Sequence, residues 1–158
     1  MAETKQYCTF YVDKYLLGVE VLDVQEVLRY QDLTQVPLAP KEVQGLINLR
    51  GQIISAIDLR SRLSLPPREE GVMPMNVVIR TNNEVISFLV DSIGDVLDVE
   101  EDTFEIAPDT VDLAARELVA GVYKLEGQLL MVLDAAKAAD LSSSAEGQPV
   151  SPSSTSKQ

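Results

Sequence analysis

Apolar and polar residues alternate through several short segments of this chain, and turn-forming residues separate the segments. A period of two runs through 6–12 and 15–20 with Asp13-Lys14 between them, which predicts an opening β-hairpin. Further pairs of apolar segments predict more hairpins; they are 46–49 with 53–57, 75–80 with 85–90, and 118–124 with 129–133. Residues 95–105 predict an acidic edge strand and loop, 59–63 a helical turn, and the alanine-rich run 135–139 a short helix.

One segment departs from this alternation and carries the signals of a helix start. Asp23 precedes Glu26 by three residues, which is the spacing of a capping box. Leu22 and Val27 stand where a hydrophobic staple would form. The pattern therefore predicts one or two helical turns that begin here and end near Tyr30.

The chain contains an internal repeat. Residues 45–58 overlay on 121–134 without a gap, and the match includes both glycines, the leucine before the turn, the glutamine after it and the closing aspartate. Residues 21–28 likewise align with 90–97 in the pattern V-x-x-(V/I)-x-(E/D)-V-L, and each follows a predicted hairpin. Two pseudo-equivalent β units within one domain are therefore predicted, and many short strands with brief helices favour a mainly β domain of two small barrels.

Length and composition set the outline of the molecule. A chain of 158 residues with 46% hydrophobic residues can bury one compact core. We predict a short lead over 1–5, a domain over 6–141 and a disordered tail over 142–158, because Ser, Pro, Gly, Gln and Thr dominate the tail. No apolar run approaches the roughly 20 residues that span a bilayer, and the N-terminus lacks a signal-peptide core. A cytoplasmic protein without membrane insertion is expected, and the single Cys8 suits a reducing compartment.

Charge and missing residue types exclude several functions. A net charge of −12 argues against nucleic-acid binding, which needs clustered Lys and Arg. The chain has no histidine, so histidine bases, histidine triads and histidine metal sites are excluded. Carboxylates could still act in pairs or bind a hard cation, and the candidates are Asp95, Asp98, Glu100 and Asp102. Their spacing lacks the glycine and distal glutamate of a calcium loop, so we predict a solvated acidic edge and no catalytic residue, metal or cofactor.

The hairpin Gly-Leu-Ile-Asn-Leu-Arg-Gly-Gln-Ile-Ile-Ser-Ala-Ile-Asp-Leu-Arg, which begins at Gly45, carries polar groups beyond what a hairpin needs. Asn48 lies two residues before Arg50 at the turn, and Asp58 and Arg60 close the second strand. This stretch resembles the signature of the chemotaxis coupling proteins, the CheW-like adaptors, and the resemblance extends over 6–141. One departure is Ser55-Ala56, where the family often has a proline.

The resemblance implies both a fold and a function. It implies two SH3-like five-stranded barrels with short helices, packed around a further core. It also implies a non-enzymatic adaptor that couples the cytoplasmic tip of chemoreceptors, the methyl-accepting chemotaxis proteins, to the regulatory domain of a CheA-type histidine kinase. An equivalent adaptor in a pathway for motility or development is an alternative. From another class, a carboxylate-based enzyme or a small-ligand barrel also remains open.

In the family a groove between the barrels takes the receptor, and the resemblance implies matching receptor-binding positions here: Val24, Glu26, Val27, Asn48, Arg50, Gly51 and Val96. The valines would form an apolar floor, and Arg50 would bind a carboxylate at the rim. Each also has a purely structural explanation, since Glu26 can complete the capping box, Val24 and Val27 can be core, and Arg50 can be a solvated turn charge. Glu126 occupies the position equivalent to Arg50, and this difference favours a functional role. The kinase-facing surface stays unassigned.

Overall fold

The computed structural model describes residues 3–81 and 84–141. Within them the strands are β1 Thr4–Val12, β2 Tyr15–Glu20, β3 Val24–Leu28, β4 Val43–Leu49, β5 Gln52–Asp58, β6 Met75–Thr81, β7 Glu84–Val90, β8 Ser92–Glu100, β9 Val119–Leu125 and β10 Gln128–Leu133. The helices are α1 Leu59–Arg62, α2 Leu113–Leu118 and α3 Ala135–Ala139, and 3₁₀ turns occupy Val21–Asp23 and Glu101–Thr103. The tail predicted over 142–158 lies outside the described residues.

The strands form two five-stranded sheets, which confirms the predicted mainly β fold of two SH3-like barrels with short helices. The order in barrel A is β8-β1-β2-β10-β9, and the order in barrel B is β3-β6-β7-β5-β4. Neighbouring strands are antiparallel except for β2 with β10 and β5 with β7, which are parallel. The position of each parallel pair is the same in both barrels, so the repeat seen in the sequence is a repeat of topology.

Each barrel takes strands from both copies of the repeat. The first copy supplies the β1–β2 hairpin to barrel A but β3, β4 and β5 to barrel B. The second copy supplies the β6–β7 hairpin to barrel B and the remaining strands to barrel A. Neither half of the sequence therefore contains a complete barrel, and the two barrels form as one unit.

Three hydrophobic clusters follow from this arrangement. One fills barrel A around Tyr7, Tyr123 and Leu130. A second fills barrel B around Ile47 and Ile54. The largest lies between the barrels and contains residues from both sheets, including Phe10, Leu17, Ile79 and Phe88, none of which has measurable exposure. The shared core between the barrels is what fixes their mutual orientation, because burial of this apolar surface is lost if they separate.

The repeated glycines allow each barrel to close. A single pair of backbone hydrogen bonds joins Thr34 to Leu46 in barrel B, and another joins Glu105 to Val122 in barrel A. Gly45 and Gly121 immediately precede the second partner of each pair. A Cβ atom at Gly45 would lie 2.8 Å from the Thr34 carbonyl oxygen, and one at Gly121 would lie 2.6 Å from the Glu105 carbonyl oxygen. Both glycines are therefore required by the close approach of another backbone segment.

The helical turns predicted from Asp23 and Glu26 are wrong in their extent. Only the 3₁₀ turn Val21–Asp23 forms, its N-cap residue makes no side-chain capping bond, and the chain continues as β3. Pairing of β3 with β6 satisfies the backbone of this segment, and the Glu26 carboxylate binds Arg50 instead of a helix N-terminus. Tertiary pairing thus overrides a local capping pattern.

Other differences from the predicted elements are smaller. Strand β1 begins at Thr4, two residues before the predicted strand, and α2 occupies Leu113–Leu118 directly before β9, where no helix was predicted. The predicted helices after β5 and β10 are present as α1 and α3. Both begin at the closing aspartate of their hairpin, because the side chain of Asp58 accepts from the backbone of Arg60 and that of Asp134 accepts from Lys137.

Candidate functional site

A small apolar groove of about 100 Å³ lies between the edges of the two barrels. Barrel B contributes Val27 from β3 and Val77 from β6, and barrel A contributes residues of β1 and β8; the full lining is Cys8, Thr9, Phe10, Val27, Val77, Ile93, Gly94 and Val96. Val27 is 39% exposed and Val96 is 57% exposed. Both valine side chains are therefore partly exposed to solvent in the same groove.

The lining of the groove follows the internal repeat. Val27 and Val96 occupy equivalent positions in the repeat, and so do Cys8 and Val77 when the alignment is extended to the opening hairpins. Register supports this equivalence, since Val27 pairs with Val77 and Val96 pairs with Cys8. The groove thus lies on the pseudo-twofold axis that relates the barrels. The other four lining residues, Thr9, Phe10, Ile93 and Gly94, all belong to barrel A, so the match between the two sides is partial.

The signature turn between β4 and β5 is a tight hairpin turn with two residues in the left-handed region. Arg50 has a φ of 53° and Gly51 a φ of 87°, the combination typical of a type I′ turn. The side-chain oxygen of Asn48 accepts a 2.9 Å hydrogen bond from the backbone N–H of Gly51. Asn48 and Gly51 therefore shape the turn, and they hold Arg50 in a conformation that a non-glycine residue seldom adopts.

Arg50 is bound by a carboxylate of its own chain. Its Nη1 and Nη2 atoms donate to the two oxygens of Glu26 at 2.5 and 2.7 Å. These hydrogen bonds hold the pKa of the Glu26 carboxyl below its ordinary value and raise that of the guanidinium. In this structure Arg50 is therefore already paired with Glu26, and its binding to a partner's carboxylate stays a prediction. The pair joins β3 to the β4–β5 turn. Strands β3 and β4 are the two end strands of the sheet in barrel B, so the ion pair links the two ends of that sheet.

The predicted site residues thus form two groups that meet at β3. Val27 and Val96 line the groove, whereas Val24 is half-buried and packs against the shared core. The turn group consists of Asn48, Arg50 and Gly51. Glu26 connects the groups, since it neighbours Val27 in β3 and binds Arg50.

Part of the groove lining was not predicted from the sequence. Cys8, Val77, Ile93 and Gly94 were not predicted to line it. Extending the repeat to β1 and β6 would have pointed to Cys8 and Val77 as an equivalent pair. Cys8 does alternate with core residues of β1, but it is half-buried, and burial raises the pKa of its thiol.

A cluster of ion pairs lies at the junction between β7 and β8. Asp91 accepts from Arg60 at 2.7 and 2.9 Å, and Nε of Arg68 lies 2.9 Å from the same carboxylate. Arg68 also donates to Asp58 at 3.0 and 3.1 Å, and the backbone N–H of Asp13 donates to Asp91 at 2.6 Å. We call these five residues the junction cluster. It ties the β1–β2 turn of barrel A to the end of β5 in barrel B.

The lining of the groove is mainly apolar. It offers aliphatic and aromatic carbon, the Cys8 thiol and the Thr9 hydroxyl, which donates to the backbone carbonyl of Asp95. In residues 3–81 and 84–141 no three Cys, Asp or Glu side chains are grouped so that they could hold a metal ion. The helices of this same part of the chain are too short and too polar to cross a membrane.

Comparison with known proteins agrees with this architecture. The family model of the CheW-like domain matches residues 6–142. The chain is 31% identical to the chemotaxis protein CheW of Bacillus subtilis over 140 residues, which cover 89% of this chain and 90% of that protein. It is 30% identical to the chemotaxis protein CheW of Thermotoga maritima over 126 residues, which cover 80% and 82% of the two chains.

A solved structure shares the fold as well. The scaffolding protein TtCheW from Thermoanaerobacter tengcongensis superposes with a TM-score of 0.74 at 26% identity, over 84% of this chain and 90% of that one. The match of the family model covers nearly the whole domain, and the relatives are covered along most of their length. The chain therefore belongs to the CheW-like domain family.

Proposed function

We propose that this protein is a non-enzymatic chemotaxis adaptor that couples the cytoplasmic tip of chemoreceptors to the regulatory domain of a CheA-type histidine kinase. Its relatives are chemotaxis proteins named CheW, and its structural neighbour is a scaffolding protein. The adaptor works in the cytoplasm and joins membrane-bound receptor arrays through its protein partners.

The observation that carries the proposal is the exposed pair of valines on the pseudo-twofold axis. A folded monomer gains little by leaving Val27 and Val96 in contact with water, and the groove between them is shaped to take an apolar side chain from outside. Receptor tips are antiparallel helical hairpins, and an amphipathic helix binds such a groove through its apolar face.

The remaining predicted residues support the groove in different ways. Glu26 and Arg50 form a bidentate pair that is a rigid polar rim beside the apolar floor. Asn48 and Gly51 fix the turn that presents Arg50. Val24 supports the floor from the core side. In this proposal the receptor contacts the outer face of the ion pair, and the pair stays intact.

The substitution Val96→Glu tests the groove directly. Val96 is more than half exposed, so the variant should fold, and circular dichroism and thermal melting should match the wild type. A carboxylate left without a partner against an apolar helix should weaken binding by about 1–3 kcal/mol, which is about 5- to 150-fold. We would measure affinity for a receptor-tip fragment by calorimetry, and kinase activity in arrays reconstituted with receptor and kinase.

Leu113→Glu is the matched control, because Leu113 is 61% exposed and belongs to α2, away from the groove lining. Its affinity for the receptor fragment should remain near that of the wild type. Equal losses from both variants would contradict the groove as the receptor site. Unfolding of Val96→Glu would mean that Val96 is a structural residue, and the proposed floor would be wrong.

A further inference from the structure

The apolar floor of the groove does not by itself choose how a helix lies in it. Val27 and Val77 of barrel B are the repeat equivalents of Val96 and Cys8 of barrel A, so a helix turned by half a circle still meets carbon at these four positions, although barrel A supplies the other four lining residues. A strong preference for one orientation therefore needs charged groups that differ between the two rims. This argument rests on the proposed function of the groove.

The rim formed by β3 carries positive charge. Arg29 is exposed and lies directly after β3, in the bend that follows Leu28. Arg80 lies on the adjoining strand β6, and its guanidinium donates a 2.9 Å hydrogen bond to the side chain of Gln25 on β3. Glu26 adds no free negative charge here, because the Arg50 guanidinium neutralises it.

The rim formed by β8 carries negative charge. Asp98 and Glu100 follow Val96 at intervals of two residues and are exposed on the same side of the strand. Asp95 is exposed as well. In the described part of the chain the side chains of these three residues form no ion pair. Asp98 is the repeat equivalent of Arg29, so the two rims differ in sign at matched positions.

We infer that the groove orients its partner by charge, and that it fits an amphipathic helix whose two flanks carry opposite charges. The basic flank lies against β8, and the acidic flank lies against β3. The floor supplies most of the affinity, whereas the flanking charges determine which orientation is populated. Because the rim residues are exposed, this preference is reduced by salt.

Two designed helical hairpins test this inference. They share one apolar face and differ only in that lysines and glutamates are exchanged between the flanks. Both carry a photo-crosslinker at the same position, which is on the lysine flank in one hairpin and on the glutamate flank in the other. The first should crosslink to 92–100 and the second to 24–29. Mass spectrometry of the products should give ratios that differ by at least about tenfold between the hairpins.

The double variant Arg29→Asp with Asp98→Arg should reverse both preferences, since it exchanges charges at equivalent exposed positions. High salt should equalise the ratios while both hairpins stay bound. Binding of both hairpins without a flank preference, or a preference that the double variant leaves unchanged, would overturn the inference and leave the groove itself in place. If neither hairpin binds, or if Val96→Glu does not weaken binding, the proposed function fails and the inference fails with it.

Discussion

Arg50 and Glu126 occupy the same turn in the two barrels, yet their surroundings differ. Arg50 has a positive φ and binds Glu26 on β3. In the equivalent turn only the glycine, Gly127, has a positive φ, and Glu126 forms no ion pair within the described residues. Asp95 stands where Glu26 stands, so barrel A has two carboxylates at the positions where barrel B has a bidentate pair. The strand order is common to both barrels, whereas the charges at this turn and on the neighbouring strand differ.

This difference separates what the fold requires from what it only permits. Both barrels need a glycine at the close backbone approach and an aspartate at the end of the hairpin, and both have them. Neither barrel needs a particular charge at the turn, since each closes with the opposite sign there. Features confined to one barrel are thus the better candidates for specific roles, and the predictions below test both shared features and features without a counterpart.

The largest effect is expected at the junction cluster, which forms at the β7–β8 junction and, within the described residues, has no counterpart at the equivalent junction between β2 and β3. Asp91 is the repeat equivalent of Leu22, which is 92% exposed. Asp91→Leu removes the carboxylate that accepts two hydrogen bonds from Arg60. Among the described residues it leaves only Asp13, at 3.9 Å, as the acidic partner of Arg60 in a mostly buried place, which should destabilise the protein by about 3 kcal/mol. Leu22→Asp adds a charge in open solvent and should change stability by less than about 0.5 kcal/mol. Urea denaturation measures both, and similar values would mean that the cluster does not stabilise the junction.

The next effect concerns the glycines that both barrels share. A Cβ atom at Gly121 would lie 2.3 Å from the Phe104 ring and 2.6 Å from a backbone oxygen, so Gly121→Ala should cost about 2–3 kcal/mol. Gly45→Ala meets a backbone oxygen at 2.8 Å and should cost somewhat less. Thermal melting of both variants checks the order. Gly127→Ala is the control, because its Cβ would meet no atom within 4 Å and only its positive φ opposes the change.

The repeat and the hairpins were predictable because alternation and turn residues are local signals. The exchange of hairpins between copies was not, since a parallel contact such as β2 with β10 joins residues far apart in sequence. Asp23 and Glu26 predicted a helix by local pattern, but pairing of β3 with β6 determined the outcome. At the site, Val27 and Val96 were placed in one groove through the family resemblance. Sequence could not show that Glu26 and Arg50 bind each other, because the contact depends on how barrel B closes.

Charge reversal at the two turns tests whether the difference in charge between the barrels matters for receptor binding. Arg50→Glu places two carboxylates where the ion pair was, so it should lower the melting temperature and reduce affinity for the receptor-tip fragment by about tenfold. Glu126→Arg puts an arginine at the position equivalent to Arg50, with Asp95 at the position equivalent to Glu26, so it should not lower the melting temperature, and it should change the affinity little because the proposed polar rim lies in barrel B. Calorimetry with the receptor-tip fragment gives the affinities. Equal and small effects on affinity would mean that the Arg50–Glu26 pair is a structural contact and takes no part in receptor binding.

The smallest effect is the acid dependence of the same ion pair. Because Arg50 lowers the pKa of Glu26 in the folded state, the unfolded chain binds more protons as the pH falls. The stabilisation is therefore complete above the ordinary glutamate pKa of about 4.3, and it is lost as the pH falls through the lower folded value. Glu26→Gln should flatten the loss of stability in this range, whereas Asp95→Asn, at the equivalent position without an arginine, should keep the wild-type slope. Urea denaturation at a series of pH values from neutral to acid separates the variants. If Asp95→Asn flattened the slope as much as Glu26→Gln, the ion pair would not distinguish the barrels energetically.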